Sequence, residues 1–129
     1  MSDTIKMPFA IWKIGEEEFK LKLTTSEIVR LEGKYKANLM SLMMANDASG
    51  IPTLNVMIDI THGALQKFHH GLTVKDVMDM FDDYCEEGGN QTVFVTDVLL
   101  TVYQVSGFFS PAEEAKKLAP RKKKVNLTQ

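Results

Sequence analysis

The sequence predicts a mainly α-helical protein in which an N-terminal β-hairpin precedes a bundle of about five to six helices. Near the N-terminus, apolar residues alternate with lysines, as in a half-buried hairpin. Over most of the remaining chain they recur at intervals of three and four, which indicates helices. The C-terminal residues show no hydrophobic period and are basic, which favours disorder. We therefore predict a single helical domain at residues 1–118 and a flexible basic tail at 119–129.

The hairpin is expected at about residues 8–23. Its first strand lies in "FAIWKI", and Gly15 then begins a turn. In its second strand three apolar residues alternate with two lysines, so one face is apolar and the other is rich in lysine. Because an isolated hairpin is marginally stable in water, we expect it to pack on the helices or to pair with another chain.

The first three helices are predicted from capping residues and hydrophobic spacing. "TTSEIVRLEGKY" should begin the first helix, since Thr24 and Glu27 have the spacing of a capping box. A short helix follows in "NLMSLMMAN", and "DASGIPT" is a loop. The third helix should begin after Thr53 and run to about His69. It is apolar on two sides, which predicts the most buried helix of the bundle.

The later helices differ in how clearly the sequence defines them. "TVKDVMDMFDDYCEEGG" should form a helix from Thr73, with carboxylates opposite one apolar stripe. That stripe comprises Val74, Val77, Met78, Phe81, Tyr84 and Cys85. Residues 91–106 are ambiguous, because their valines and threonines favour a strand. The segment is long for one strand, so we favour a helix. "SPAEEAKKL" has the start signals of a short last helix.

The charge is distributed unevenly along the chain of 129 residues, whose net charge is −2. Nine basic and 17 acidic residues give residues 1–115 a charge of −8, whereas residues 116–129 carry six basic residues and a charge of +6. An acidic body repels phosphates, which argues against nucleic acid as its partner. No apolar stretch approaches the roughly 20 residues of a membrane span, so no membrane association is expected.

The sequence contains no motif for catalysis, for a cofactor or for a metal, so we expect a protein that is not an enzyme. Cys85 lies on the apolar stripe, where a cysteine is usually a small hydrophobe. His62, His69 and His70 lack the spacing of a zinc site and are interpreted as residues near a helix end. The carboxylates of "DVMDMFDDYCEE" lack the calcium-loop pattern. They are interpreted as a solvated face that also offers a charged docking surface. The docking candidates are Asp79, Asp82 and Asp83.

Methionines are concentrated in the second predicted helix, at Met40, Met43 and Met44. A methionine side chain adapts to irregular apolar surfaces, so these residues and Leu39 form a candidate partner-binding surface. Methionines fill gaps in a core equally well. Both interpretations stay open from the sequence.

The order of several segments resembles that of a known protein family. A hairpin ends in "FKLKLTTSEIVRLEGKYKANLMSLM", and a loop with proline and a helix come next. "GLTVKDVMDMFDDYCEEGG" and a helix ending in "VYQVSGFF" complete the order. Over roughly residues 15 to 110, this arrangement resembles the tail assembly chaperones of long-tailed bacteriophages and related prophages, especially those that infect Gram-positive hosts. The resemblance lies in the order and spacing of the motifs.

The resemblance implies a mainly helical protein with no catalytic residue and no cofactor. Its implied partner is the tape measure protein, which the chaperone coats in the host bacterial cytoplasm before the tail tube polymerises. The chaperone is absent from the finished virion. Coating a long client implies many copies and hence a homo-oligomer, with the hairpin edge as a candidate contact. Many members are also made in an extended form by a −1 ribosomal frameshift, and the extension recruits the tail tube protein.

Three consecutive lysines, Lys122, Lys123 and Lys124, have two interpretations on this view. If a run of adenines encodes them, they mark the site of frameshifting and the joint to the longer product. Alternatively, they belong to a basic tail that docks on the acidic helix around Asp82 and Asp83.

The alternative function is a small nucleic-acid-binding module. In that case the predicted helices around Thr24–Asn46 would form a helix-turn-helix, and the basic tail would contact phosphates. This helix pair carries few positive charges to bind them, with Arg30, Lys34 and Lys36 set against Glu27 and Glu32.

Overall fold

The computed structural model describes residues 8–43 and 51–108. In these residues an antiparallel two-stranded hairpin is followed by five helices, which confirms the predicted fold class. The fifth helix consists of three consecutive segments, of which the middle one is π-helical. The elements are β1 (Ala10–Ile14), β2 (Glu17–Leu21), α1 (Thr25–Tyr35), α2 (Leu39–Met43), α3 (Leu54–Leu65), α4 (Val74–Glu86), α5 (Gln91–Phe94), the π segment (Val95–Leu99) and α6 (Leu100–Val105). The predicted helix in "SPAEEAKKL" and the basic tail lie outside the described residues.

The hairpin forms where the alternating pattern predicts it. Ile14 lies opposite Glu17, so a loop of two residues joins the strands. Gly15 opens that loop with φ 61°, a conformation that glycine adopts without strain. Trp12 is completely buried, whereas its neighbour Ile11 is exposed, as expected for side chains that alternate across a sheet.

The outer edge of β2 is covered by the end of α3 and by His69, which follows that helix. The backbone N–H of Lys22 donates to the carbonyl of Ala64 at 2.9 Å. The N–H of Lys20 donates to Nε2 of His69 at 3.0 Å. These bonds satisfy groups that an open strand edge would expose, and they attach the hairpin to the helices. The expectation that the hairpin packs on the helices is thus confirmed.

The N-terminal caps of α1 and α4 differ. Thr24 accepts a hydrogen bond from the N–H of Glu27 at 3.4 Å, but the carboxylate of Glu27 turns to Arg30 at 2.7 Å. The predicted capping box of α1 is therefore only half formed. Thr73 and Asp76 form both bonds of a capping box, at 3.1 and 2.9 Å, and begin α4 as predicted. Hydrogen bonds from the backbone and side chain of Thr73 lower the pKa of Asp76.

Helix α3 is the most buried helix, as predicted. Eight of its 12 residues are buried, and the hydroxyl of Thr61 donates to the carbonyl of Met57 at 2.7 Å. The helix ends at Leu65, four residues before the predicted end. After Leu65 the backbone forms tighter turns. The N–H of Phe68 bonds to the carbonyl of Leu65, three residues back, at 3.2 Å.

The ambiguous segment 91–106 is helical, not a strand, as we favoured. Asn90 caps α5 by accepting a hydrogen bond from the N–H of Val93 at 2.9 Å. Phe94, Leu99 and Tyr103 are fully buried. The strand propensity of the valines and threonines is overridden, because these large side chains fill the core from one face of a helix.

An aromatic cluster joins the hairpin to α4 and α5. The ring of Trp12 lies 5.0 Å from that of Phe94 and 5.8 Å from that of Tyr84, measured between centroids. After α4 the chain passes so close to this cluster that a β-carbon on Gly89 would lie 2.4 Å from the ring of Tyr84. Only glycine fits there without displacing the ring.

Candidate partner-binding groove

A groove of about 420 Å³ lies on the surface where α3 packs on α4. Successive helices with a short connection place two apolar stripes side by side here. Of the eight lining residues in the described part of the chain, five are apolar. From α3 the lining comprises Leu54, Asn55, Ile58 and Asp59, and from α4 it comprises Val74, Met78, Phe81 and Asp82.

The apolar floor of the groove is open to solvent. Ile58 and Phe81 are buried, but Leu54 and Val74 are each 38% exposed and Met78 is 48% exposed. These three are half of the six large hydrophobic side chains that are exposed in the described part of the chain. Because these side chains adjoin one another in a groove, they form a candidate site for an apolar partner.

The sequence pattern does not distinguish the exposed residues of the α4 stripe from the buried ones. It groups Val74 and Met78 with the other apolar residues of α4 on one stripe opposite the carboxylates, whereas the structure leaves both of them exposed. The stripe is wider than the surface that covers it, so only Val77, Phe81 and Tyr84 face the core. The prediction for Cys85 is wrong for the same reason, because Cys85 is exposed.

Cys85 lies on the same side of α4 as the open part of the groove. It follows Met78 by seven residues, which is close to two full helical turns. Since it is the chain's single cysteine, it offers a specific chemical label beside the groove.

The two carboxylates in the lining differ in whether a basic side chain pairs with them. Asp59 is bound by Nζ of Lys34 at 2.6 Å and by the hydroxyl of Tyr35. Burial acts to raise the pKa of Asp59, but the hydrogen bonds from these two partners outweigh it and lower the pKa. Burial first, and then the bond to Asp59, raise the pKa of Tyr35 to about 12. Asp59 is therefore ionised, and Lys34 neutralises it.

Asp82 has no hydrogen-bond partner or ion-pair partner for its side chain within the described ranges, and it is exposed. Among the described residues it therefore supplies a negative charge to the groove that no basic side chain pairs with. Of the three predicted docking residues on α4, it is the one in the lining. Asp79 is paired with Lys75 at 3.1 Å. Asp83 is also exposed but follows Asp82 directly, so it points about 100° further around the helix.

The predicted apolar docking residues lie on α2, away from this groove. Leu39 is completely buried, and its carbonyl accepts a hydrogen bond from Tyr103 at 2.8 Å. Leu39 is thus a core residue and offers no surface to a partner in this structure. Met40 and Met43 are partly buried against the core. Met44 and the three lysines Lys122, Lys123 and Lys124 lie outside the described residues.

The histidines make structural hydrogen bonds. His69 accepts from β2, as described above, and the ring of His62 bonds to the carbonyl of Leu72 at 3.1 Å. Within residues 8–43 and 51–108, no group of three or more His, Cys, Asp or Glu residues is arranged to hold a metal ion. In the same residues no helix has the length and apolar character needed to cross a bilayer.

The predicted helix-turn-helix region has little free positive charge. Arg30 pairs with Glu27, and Lys34 pairs with Asp59. Within the described residues, α2 comprises Leu39–Met43 and carries no basic side chain. A recognition helix binds in the major groove with several exposed side chains. The nucleic-acid alternative stays a prediction, but its basic residues are partly neutralised.

Comparison with known proteins identifies a family. Residues 5–128 match the family of unknown function DUF6096, and the chain belongs to that family. No curated protein matches the chain. No solved structure matches it either.

Proposed function

We propose that this protein is a tail assembly chaperone of a long-tailed bacteriophage or prophage. It binds the tape measure protein, keeps it soluble and helps to recruit tail tube subunits. The observation that carries the proposal is the open apolar groove between α3 and α4 on a mainly helical protein. The order of segments that resembles this chaperone family supports the same proposal.

The groove has the properties that a client with exposed apolar surface requires. Met78 has a flexible side chain that adapts to different apolar partners, and it is half exposed. Val74, one turn earlier on α4, and Leu54 on α3 extend the apolar contact. Complete burial of a side chain of this size contributes about 1.5–3 kcal/mol. These three are 38–48% exposed, so covering their open parts contributes about half of that or less for each and offsets part of the cost of association.

The charge of the body supports the same role. Residues 1–115 carry a net charge of −8. Loaded complexes of like charge repel one another, so coated clients stay dispersed. On this proposal the protein acts as a homo-oligomer in the host bacterial cytoplasm and leaves before the virion is complete. A −1 frameshift at Lys122–Lys124 supplies the extended form that recruits the tail tube protein.

Co-expression tests this function directly. The tape measure protein encoded in the same genome is produced with and without this chain, and the soluble fraction and co-purification are measured. The expected result is a client that aggregates alone and is soluble in complex with the chain. A client that is equally insoluble in both cases would contradict the proposal.

A further inference from the structure

The geometry points to a specific occupant of the groove, namely an amphipathic helix of the partner that carries basic residues beside its apolar stripe. This inference deepens the proposed function and rests on it for the identity of the partner. The groove itself, defined by Leu54, Ile58, Val74, Met78, Phe81 and the neighbouring polar residues, is independent of that identity.

The walls of the groove favour a helix over an extended peptide. Both walls are helices, whose backbone N–H and C=O groups are bonded within the helix. An extended peptide gains affinity by pairing its backbone with a strand edge, and none of the described lining residues lies in a strand. A helical partner satisfies its own backbone and needs only an apolar stripe.

The dimensions suit a short helical segment. The lining runs from Leu54 to Asp59 on α3 and from Val74 to Asp82 on α4, which corresponds to about 8–12 Å along these helices. A partner helix of about two turns spans this length and presents apolar residues at positions i, i+3 or i+4, and i+7.

The negative charge of the groove favours basic residues on the partner helix. Asp82 lines the groove and has no partner within the described part of the chain. Glu86 follows it by four residues, so the two carboxylates are neighbours on the exposed surface of α4. The long stems of lysine and arginine cover apolar surface while their charged ends reach such carboxylates. A helix rich in glutamate would be repelled.

The test uses two synthetic helices of three heptads each, with leucine at positions a and d. One has lysine at the remaining positions and the other has glutamate. The full chain is titrated with each, and the rate at which a maleimide modifies Cys85 is measured. The lysine helix is expected to bind and to slow the modification, whereas the glutamate helix does neither. Equal binding of both helices, or of neither, would overturn the inference.

Matched variants locate the binding. Met78→Ser is expected to weaken binding of the lysine helix about tenfold, because the burial of one large side chain is lost. Asp82→Asn should weaken it about threefold and reduce its salt dependence. Val29→Ser and Asp83→Asn are the controls, since they change an exposed apolar residue and an exposed carboxylate outside the groove. Equal effects of Asp82→Asn and Asp83→Asn would show a response to net charge alone and overturn the inference.

Other occupants have distinct signatures, each of which overturns the inference. If the lysine helix binds only after residues 116–129 are removed, the chain's own basic segment occupies the groove. If Cys85 becomes protected as the protein concentration rises without peptide, a second copy occupies it. Thermal unfolding of each variant shows that a loss of binding is not a loss of fold.

Different results would contradict the proposed occupant of the groove and the proposed function. If the Met78→Ser variant still binds the tape measure protein and the lysine helix does not bind, the binding role of the groove is contradicted and the chaperone function stands. If the lysine helix binds as described but the client stays insoluble, the groove stands and the chaperone function is wrong.

Discussion

The hydroxyl of Tyr103 donates a hydrogen bond to the backbone carbonyl of Leu39 at 2.8 Å, and both residues are completely buried. This bond connects α6 to the short helix α2 across 64 positions of the sequence. Burial first, and then the charge of Glu32, raise the pKa of Tyr103 above its ordinary value. The phenol therefore stays protonated and remains a donor at neutral pH. It fixes α2 on the core, away from the groove.

Tyr103→Phe is expected to destabilise the protein by about 1–3 kcal/mol, because the carbonyl of Leu39 would remain buried without a donor. Denaturant unfolding measures this change. Tyr84→Phe is the matched control, since the hydroxyl of Tyr84 makes no hydrogen bond to any described residue, and it should change stability much less. Equal losses for the two variants would contradict the role of the hydrogen bond.

Gly89→Ala and Gly33→Ala should have opposite effects on stability. A β-carbon on Gly89 would lie 2.4 Å from the ring of Tyr84, so we expect a loss of about 1–3 kcal/mol from overpacking. Gly33 lies inside α1 with nothing within 4 Å of the added carbon, so alanine should stabilise the helix by about 0.5–1 kcal/mol. Thermal unfolding measures both. A neutral Gly89→Ala would show that the ring of Tyr84 is free to move.

The contacts of Asp59 predict how stability depends on pH. Its pKa is lowered by folding, so its contribution is present above the unfolded pKa of about 3.9 and is lost as the pH falls through the folded pKa. Folding raises the pKa of Tyr35 to about 12. Its contribution is therefore present below the unfolded value of about 10 and is lost as the pH rises through 12. The two groups together favour the folded state between these limits.

Asp59→Asn should remove part of the acid-dependent loss of stability and should lower the pKa of Tyr35, because the acceptor loses its negative charge. Unfolding at several pH values and the ultraviolet absorbance of tyrosinate measure the two effects. Asp82→Asn is the control, since Asp82 has no hydrogen-bond partner among the described residues. An unchanged tyrosinate titration in Asp59→Asn would contradict the coupling of Tyr35 to Asp59.

Synonymous codons for Lys122, Lys123 and Lys124 test the proposed frameshift. Codons that remove an adenine run should abolish the longer product without changing the protein sequence. Immunoblotting against the N-terminal region detects both products. A longer product that persists at the same ratio would contradict slippage at these codons.

The sequence predicts those features that depend on neighbouring residues. Thr73 and Asp76 are three residues apart, so the start of α4 follows from local chemistry. The position of the groove cannot be predicted from neighbouring residues in the sequence. The sequence shows that Val77 and Met78 are both apolar, but only the position of distant Trp12 and Phe94 determines which side of α4 is covered. The sequence also does not show whether Leu39 belongs to the core or to a partner-binding surface, because the hydroxyl that binds its carbonyl comes from the other end of the domain.

The central claim is that the groove between α3 and α4 binds the client. The most direct test compares the amount of tape measure protein that co-purifies with Met78→Ser and with Val29→Ser. Both side chains are exposed hydrophobic residues, and only Met78 lines the groove. Met78→Ser is expected to lower the affinity about tenfold, and Val29→Ser should leave it unchanged. Equal retention of the client by the two variants would contradict the claim.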